Sequence, residues 1–203
     1  NGEDKLKLNK FIGSKAFYRK LFAIMLPILV QNVITNFVSL LDNIMVGQVG
    51  TEPMSGVAIV NQLIFVFNLC IFGAISGAGI FSAQFYGQGN HEGVKHSFRF
   101  KLVISTLITV LGLVIFILFG GRLASFYMHE GGDTGNIEAT MRYSMDYLKI
   151  MLIGLFPFAV EQCYSGTLRE TNETVVPMKA GIVAVCINLV LNYILIYGKF
   201  GAP

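Results

Sequence analysis

Residues 21–46 read LFAIMLPILVQNVITNFVSLLDNIMV, and this stretch decides the fold. Asp42 is the only Lys, Arg, Asp or Glu residue within it. A helix needs about 20 predominantly apolar residues to cross the hydrocarbon core of a bilayer. The stretch is therefore long enough and apolar enough to predict a transmembrane helix.

Four further apolar stretches follow, at residues 55–85, 102–120, 143–165 and 180–197. One such stretch could be a buried helix of a soluble protein, but five in 203 residues favour an all-α integral membrane protein. The mean hydropathy is +0.63 and 13% of residues are charged, whereas soluble domains carry about 25%. This composition argues against a disordered chain, a soluble two-domain enzyme and a nucleic-acid-binding protein, so no nucleic acid partner is expected.

The distribution of Lys and Arg predicts that the N-terminus lies in the cytoplasm, because cytoplasmic ends of transmembrane helices are enriched in these residues. With residues 1–20 as a basic cytoplasmic segment, eleven of the 15 Lys and Arg residues fall on the inner side. The inner set is Lys5, Lys7, Lys10, Lys15, Arg19, Lys20, Lys95, Arg99, Lys101, Arg169 and Lys179, and the outer set is Arg122, Arg142, Lys149 and Lys199.

Asp42 is a functional candidate because a charge in mid-membrane costs at least about 2.5 kcal/mol. Gln31, Thr35 and Asp42 are spaced by four and seven residues, so they share one face of the first predicted helix. We expect this face to border a water-filled cavity or a neighbouring helix. The alternative is a solvated outer helix end together with hydrogen bonds between helices.

Three further features of the apolar stretches have both a functional and a structural interpretation. Pro27 removes a backbone hydrogen bond and predicts a helix kink, either a hinge or a static bend. Asn188 and Asn192 are four residues apart, so their carboxamides could serve a monovalent cation with Asp42 or join helices. Glu161 is a cavity-lining candidate, or it extends from the helix to the cytoplasmic surface.

Several short motifs, taken together in their order along the chain, resemble the multidrug and toxic compound extrusion (MATE) family. They are MLPI at 25–28, LDNIMVG at 41–47, AQFYG at 83–87, LRET at 168–171, NLVLNY at 188–193 and IYGKFG at 196–201. Each is weak alone, but all occur in the family's order on the matching predicted helices. The resemblance covers residues 15–203, with Asn172 at a position where many members have Gly.

The resemblance implies a twelve-helix transporter with two six-helix lobes around a central cavity. Residues 21–203 would form five helices of the N-terminal lobe, and the sequence stops before helix six and the C-terminal lobe. In this family Asp42 matches the acidic cation- or proton-binding position. Asn188 and Asn192 match two polar positions of helix five. Another branch of the family has Asp at the position of Asn192, so in this respect the chain is more similar to the NorM branch.

The expected function is secondary active efflux of amphipathic or cationic drugs in exchange for Na⁺ or H⁺, in the inner membrane of a bacterium. No cofactor is expected beyond the coupling ion, and no metal site beyond Na⁺. The chain shows no nucleophile–base or metal-ligand constellation, so no enzyme is expected. The alternatives are a lipid-linked oligosaccharide flippase of the same superfamily and a membrane subunit that does not transport.

Overall fold

The computed structural model describes residues 13–130 and 136–196, and within these ranges the chain forms five α-helices. They are α1 (Lys15–Gly47), α2 (Thr51–Gly87), α3 (His91–Glu130), α4 (Ile137–Glu170) and α5 (Val175–Ile196). All five are long and apolar enough to cross a membrane. The predicted all-α membrane fold is therefore confirmed, and the chain is a multi-pass membrane protein.

The helices extend beyond the apolar stretches into polar residues that give no hydropathy signal. Helix α3 begins at His91, well before residue 102, and α1 already includes residues 15–20 of the predicted basic segment. Residues 1–12 and residue 197 of the last predicted stretch lie outside the described residues. The division into a basic segment and a lobe that stops before helix six stays a prediction.

Asn side chains cap the starts of two helices. The Asn136 side chain accepts a hydrogen bond from Ala139 N at 3.2 Å and caps the start of α4. Asn90 Oδ1 accepts from Gly93 N at 2.9 Å in the turn before α3. Asn172, between α4 and α5, has φ +66°, a left-handed conformation that Asn tolerates better than most residues other than Gly. Glycine would adopt the same conformation without strain.

The described chain divides into two compact units, which are considered separately. The first unit comprises residues up to Val38 together with those from Asn172 onward, and it contains most of α1 and all of α5. The second unit is Ser39–Thr171, which holds the end of α1 and all of α2, α3 and α4.

The second unit has a hydrophobic core between α2, α3 and α4. Val60 and Ile71 from α2 pack there with Phe116 from α3 and with Leu148 and Cys163 from α4. At Gly56 of α2 an added Cβ would lie 3.0 Å from the backbone nitrogen of Ser144 on α4. A small residue at position 56 therefore permits the close approach of α2 and α4.

Large apolar side chains cover much of the outer helix surface. Ile153 is 79% exposed, and Phe72 and Ile117 are each 68% exposed. Monomeric soluble proteins rarely expose extensive apolar surface, but a lipid environment accommodates it without cost. The apolar surface thus agrees with helices that contact lipid or further protein within a membrane.

Candidate functional site

In the second unit, Asp42 lies in the last third of α1 and is partly buried. Tyr147 of α4 lies close enough to the Asp42 carboxylate for the two groups to interact electrostatically. The Tyr147 hydroxyl donates a hydrogen bond to Asn61 Oδ1 of α2 at 3.5 Å. Asp42, Asn61 and Tyr147 are here called the Asp42 cluster, in which Tyr147 interacts electrostatically with Asp42 and is hydrogen-bonded to the exposed Asn61.

Asn61 and Tyr147 were not among the residues selected from the sequence. Each lies within an apolar stretch that predicts a transmembrane helix, and that placement was the available signal. An Asn or Tyr in such a stretch also occurs as an ordinary helix-packing residue. Tyr147 is associated with Asp42 by their electrostatic interaction, and Asn61 only through its hydrogen bond to Tyr147, which the packing of α4 against α2 allows.

In the first unit, Gln31 of α1 lies directly against α5. A Cβ added to Gly181 would lie 2.9 Å from Gln31 Nε2, so the carboxamide occupies the space that the glycine leaves open. Thr35 is exposed, and its hydroxyl donates to the backbone oxygen of Gln31 at 2.9 Å. Gln31 thus contacts a neighbouring helix, one of the two environments expected for this face of α1.

Asn188 and Asn192 are joined by a hydrogen bond on one side of α5. Asn192 Nδ2 donates to Asn188 Oδ1 at 3.2 Å, and both residues are partly buried. This bond orients the two carboxamides relative to each other. Asp42 belongs to the second unit and the two Asn residues to the first. A shared ion site formed by these three residues therefore stays a prediction.

Glu161 of α4 is exposed, and both of its carboxylate oxygens accept hydrogen bonds from neighbours on the same helix. Gln162 Nε2 donates at 2.9 Å, and the Ser165 hydroxyl donates to the other oxygen. Its assignment as a cavity-lining residue stays a prediction. Pro27 lies inside α1, which continues as one helix from Lys15 to Gly47, so a hinge at this position also stays a prediction.

A buried ion pair in the second unit was not expected from the sequence. Lys101 of α3 is fully buried, and its ammonium group contacts the Glu170 carboxylate of α4. The same ammonium donates to the Thr167 hydroxyl at 3.2 Å. The sequence interpretation counted Lys101 among the charges at the inner membrane surface, but the structure places its side chain between helices.

The inventory of metal-ligating groups within the described residues is short. No cluster of three or more His, Cys, Asp and Glu residues close enough to hold a metal ion occurs in residues 13–130 and 136–196. Carboxylate and carboxamide oxygens, which suit hard cations, are present in the Asp42 cluster and in the Asn188–Asn192 pair.

Apolar helices, a bundle that encloses polar groups and a carboxylate within a predicted span are typical of a membrane transporter. The family model described as MatE matches residues 27–194, most of the chain. The chain belongs to the MATE family.

Curated relatives carry multidrug resistance names. The chain is 28% identical over 185 residues to a probable multidrug resistance protein NorM of Thermotoga maritima, with 91% of this chain and 38% of that protein covered. It is 26% identical over 185 residues to the multidrug resistance protein MdtK of Pectobacterium atrosepticum, with coverage of 91% and 39%. The chain thus spans well under half the length of these relatives.

Two solved structures share the fold. One, described as an outward-facing conformation of a multidrug resistance MATE family transporter of the MOP superfamily, matches with a TM-score of 0.74 and 21% identity. The other, a MOP superfamily transporter from Pyrococcus furiosus, matches with a TM-score of 0.71 and 22% identity. Each match covers 90% of this chain and 39% of the other chain, which agrees with five helices of one lobe.

Proposed function

We propose that the protein is a secondary active efflux antiporter that exports amphipathic or cationic drugs in exchange for Na⁺ or H⁺. The Asp42 cluster is the observation that supports this function most directly. Asp42 is the one acidic residue within residues 21–46, and it interacts electrostatically with Tyr147 of α4, which is hydrogen-bonded to Asn61 of α2. Retaining a charge in such surroundings is costly, so it calls for a functional reason.

In the proposed mechanism Asp42 is the coupling carboxylate of an alternating-access cycle. It takes a proton or Na⁺ when the cavity is open to the outside and releases the ion when the cavity is open to the inside. Neutralising Asp42 lowers the cost of burying it, so the occupied site favours a different helix arrangement from the empty one. The ion drives transport only through this difference in its affinity for the two states.

The proposed setting is a bacterial inner membrane with the N-terminus in the cytoplasm, supported by the excess of Lys and Arg on that side. We further propose that the chain works with a second lobe of the same protein, since its relatives are much longer. Drugs, the lipid bilayer and this lobe are then its partners, and the protein is a transporter rather than an enzyme.

Growth of cells that lack their own efflux systems tests this function. We expect cells making the full-length protein to grow at concentrations of ethidium and norfloxacin that stop cells with an empty vector. A lipid-linked oligosaccharide flippase or a subunit that does not transport would give equal inhibition in both strains. Equal inhibition, with the protein present in the membrane by immunoblot, would therefore contradict the proposal.

The Asn188–Asn192 pair gives a prediction that depends on the coupling ion. Asn188→Ala and Asn192→Ala each remove one carboxamide and the hydrogen bond between them, while the charge of Asp42 remains. With Na⁺ coupling, we expect each variant to raise the Na⁺ concentration for half-maximal efflux. With H⁺ coupling, we expect a shifted pH optimum, because hydrogen bonds tune the protonation of a carboxylate.

Efflux rates measured across Na⁺ concentration and across pH distinguish these outcomes. Val190→Ala is the control, because Val190 is an exposed residue of the same helix that carries no polar group. If both Asn variants match Val190→Ala in both titrations, the pair has no part in ion binding.

A further inference from the structure

An open groove lies between α2 and α3 in the second unit, at the end that carries the α2–α3 turn. Its volume is about 530 Å³, within the range of about 300–1,000 Å³ typical of small-molecule sites. Gly73 and Gly77 line its floor, and Phe81 and Phe100 form its apolar walls. A Cβ added to either glycine would meet no described atom within 4 Å. The floor is therefore open and not packed against another described helix.

The mouth of this groove is polar and has basic side chains beside it. His96 lines it and is exposed, and Arg99, three residues further along α3 and outside the lining itself, is also exposed. Lys95 adds little net charge, because its ammonium pairs with Glu92 at 2.7 Å. Ser97 also lines the groove and is only 8% exposed, and its hydroxyl makes no hydrogen bond to another described residue.

We propose that this groove binds an anionic phospholipid, with an acyl chain along the Gly73–Gly77 floor and the phosphate at His96, Ser97 and Arg99. The combination of an apolar trough with a basic mouth at one helix end matches a lipid that has an anionic head and an apolar tail. In the proposed orientation the α2–α3 turn is cytoplasmic, so the ligand would come from the cytoplasmic leaflet. Basic pockets between transmembrane helices on that side are suited to anionic headgroups.

Charge complementarity favours a lipid over a further helix as the occupant. Glycines spaced by four residues also suit helix packing, so a helix of the same protein is the competing occupant. An apolar transmembrane helix would fill the floor but offers no partner for the exposed basic side chains near the mouth. The tail gains little on leaving a bilayer that is equally apolar. Selectivity must therefore come from the phosphate and its net charge.

Native mass spectrometry of the full-length protein in detergent tests the site, titrated with phosphatidylglycerol or phosphatidylcholine of the same acyl chains. A basic residue near an anionic lipid surface contributes about fivefold in affinity. We expect phosphatidylglycerol to bind at least about fivefold more tightly than phosphatidylcholine. His96→Gln combined with Arg99→Gln should remove this preference, and Gly77→Leu should weaken binding of both lipids by filling the floor.

Two variants outside the groove serve as controls. Arg122→Gln removes an exposed cation from the other end of α3, and Gly154→Leu fills open space on α4. Both should bind the lipids as the unmodified protein does. Equal affinity for the two lipids, or a preference that survives the His96 and Arg99 changes, would overturn the proposal. The proposal would also be overturned if Gly77→Leu had a lower melting temperature than Gly154→Leu while the unmodified protein bound both lipids equally. That result would indicate a helix packed in the groove.

This measurement needs neither drug nor ion gradient. If the full-length protein gives no drug resistance but prefers phosphatidylglycerol as expected, the proposed antiport fails and the lipid site stands. If the full-length protein gives drug resistance but binds both lipids equally, only the lipid site fails.

Discussion

Replacing Lys101 with Met is expected to destabilise the protein by about 3–5 kcal/mol, because it leaves the Glu170 charge without its partner inside the bundle. The Lys101 side chain is fully buried and that of Glu170 is 17% exposed. Thr167 also loses the ammonium group that donates to its hydroxyl. The loss should appear as a lower melting temperature of the full-length protein in detergent at neutral pH.

The double variant Lys101→Met/Glu170→Gln should recover most of this loss, because no buried charge then lacks a partner. Lys95→Met is the matched control, since Lys95 lies on the same helix in an ion pair that is largely exposed. Exposed pairs contribute little to stability, so its melting temperature should stay unchanged. Equal melting temperatures for Lys101→Met and Lys95→Met would contradict a stabilising role of the buried pair.

Changing Asp42 to Asn is expected to abolish drug resistance, down to the level of cells with an empty vector. The carboxamide keeps the shape and hydrogen-bonding capacity of the side chain. It neither exchanges a proton nor carries the charge that attracts Na⁺. The variant should accumulate in the membrane like the unmodified protein, which separates loss of coupling from loss of folding. Growth with ethidium or norfloxacin, together with an immunoblot, measures both.

Asp146→Asn provides the same chemical change at an exposed position of the second unit. Its carboxylate is paired with Lys149 at 3.0 Å and is 59% exposed, so its loss should leave resistance intact. Normal resistance with Asp42→Asn would remove Asp42 from the mechanism. It would then leave this residue as a polar group at a helix end.

The five helices could be predicted from the sequence because crossing a bilayer demands length and apolarity, and both properties are local. Residues 21–46 show this clearly, as they fall within α1. Helix ends were less predictable, because polar helix outside the hydrocarbon core gives no hydropathy signal. The start of helix α3 at His91 was not predicted for this reason. It is stabilised by the Asn90 side chain, which accepts a hydrogen bond from the Gly93 backbone.

The contacts of the candidate site were harder to predict, because they join residues far apart in the chain. Asp42 was recognisable as an isolated acid in an apolar stretch, whereas Asn61 and Tyr147 become notable only once α2 and α4 pack together. Lys101 lies near the end of a predicted span, where a lysine usually faces water. Its pairing with Glu170, 69 residues later, depends on the packing of α3 against α4.

Ion movement during drug transport is the most direct test of Asp42 as the coupling carboxylate of an antiporter. When ethidium moves down its concentration gradient across sealed proteoliposomes, the full-length protein should move Na⁺ or H⁺ in the opposite direction. In Asp42→Asn this drug-dependent ion movement should disappear, while Asp146→Asn should retain it. Drug transport without opposing movement of either ion, or unchanged ion movement in Asp42→Asn, would contradict the proposed mechanism.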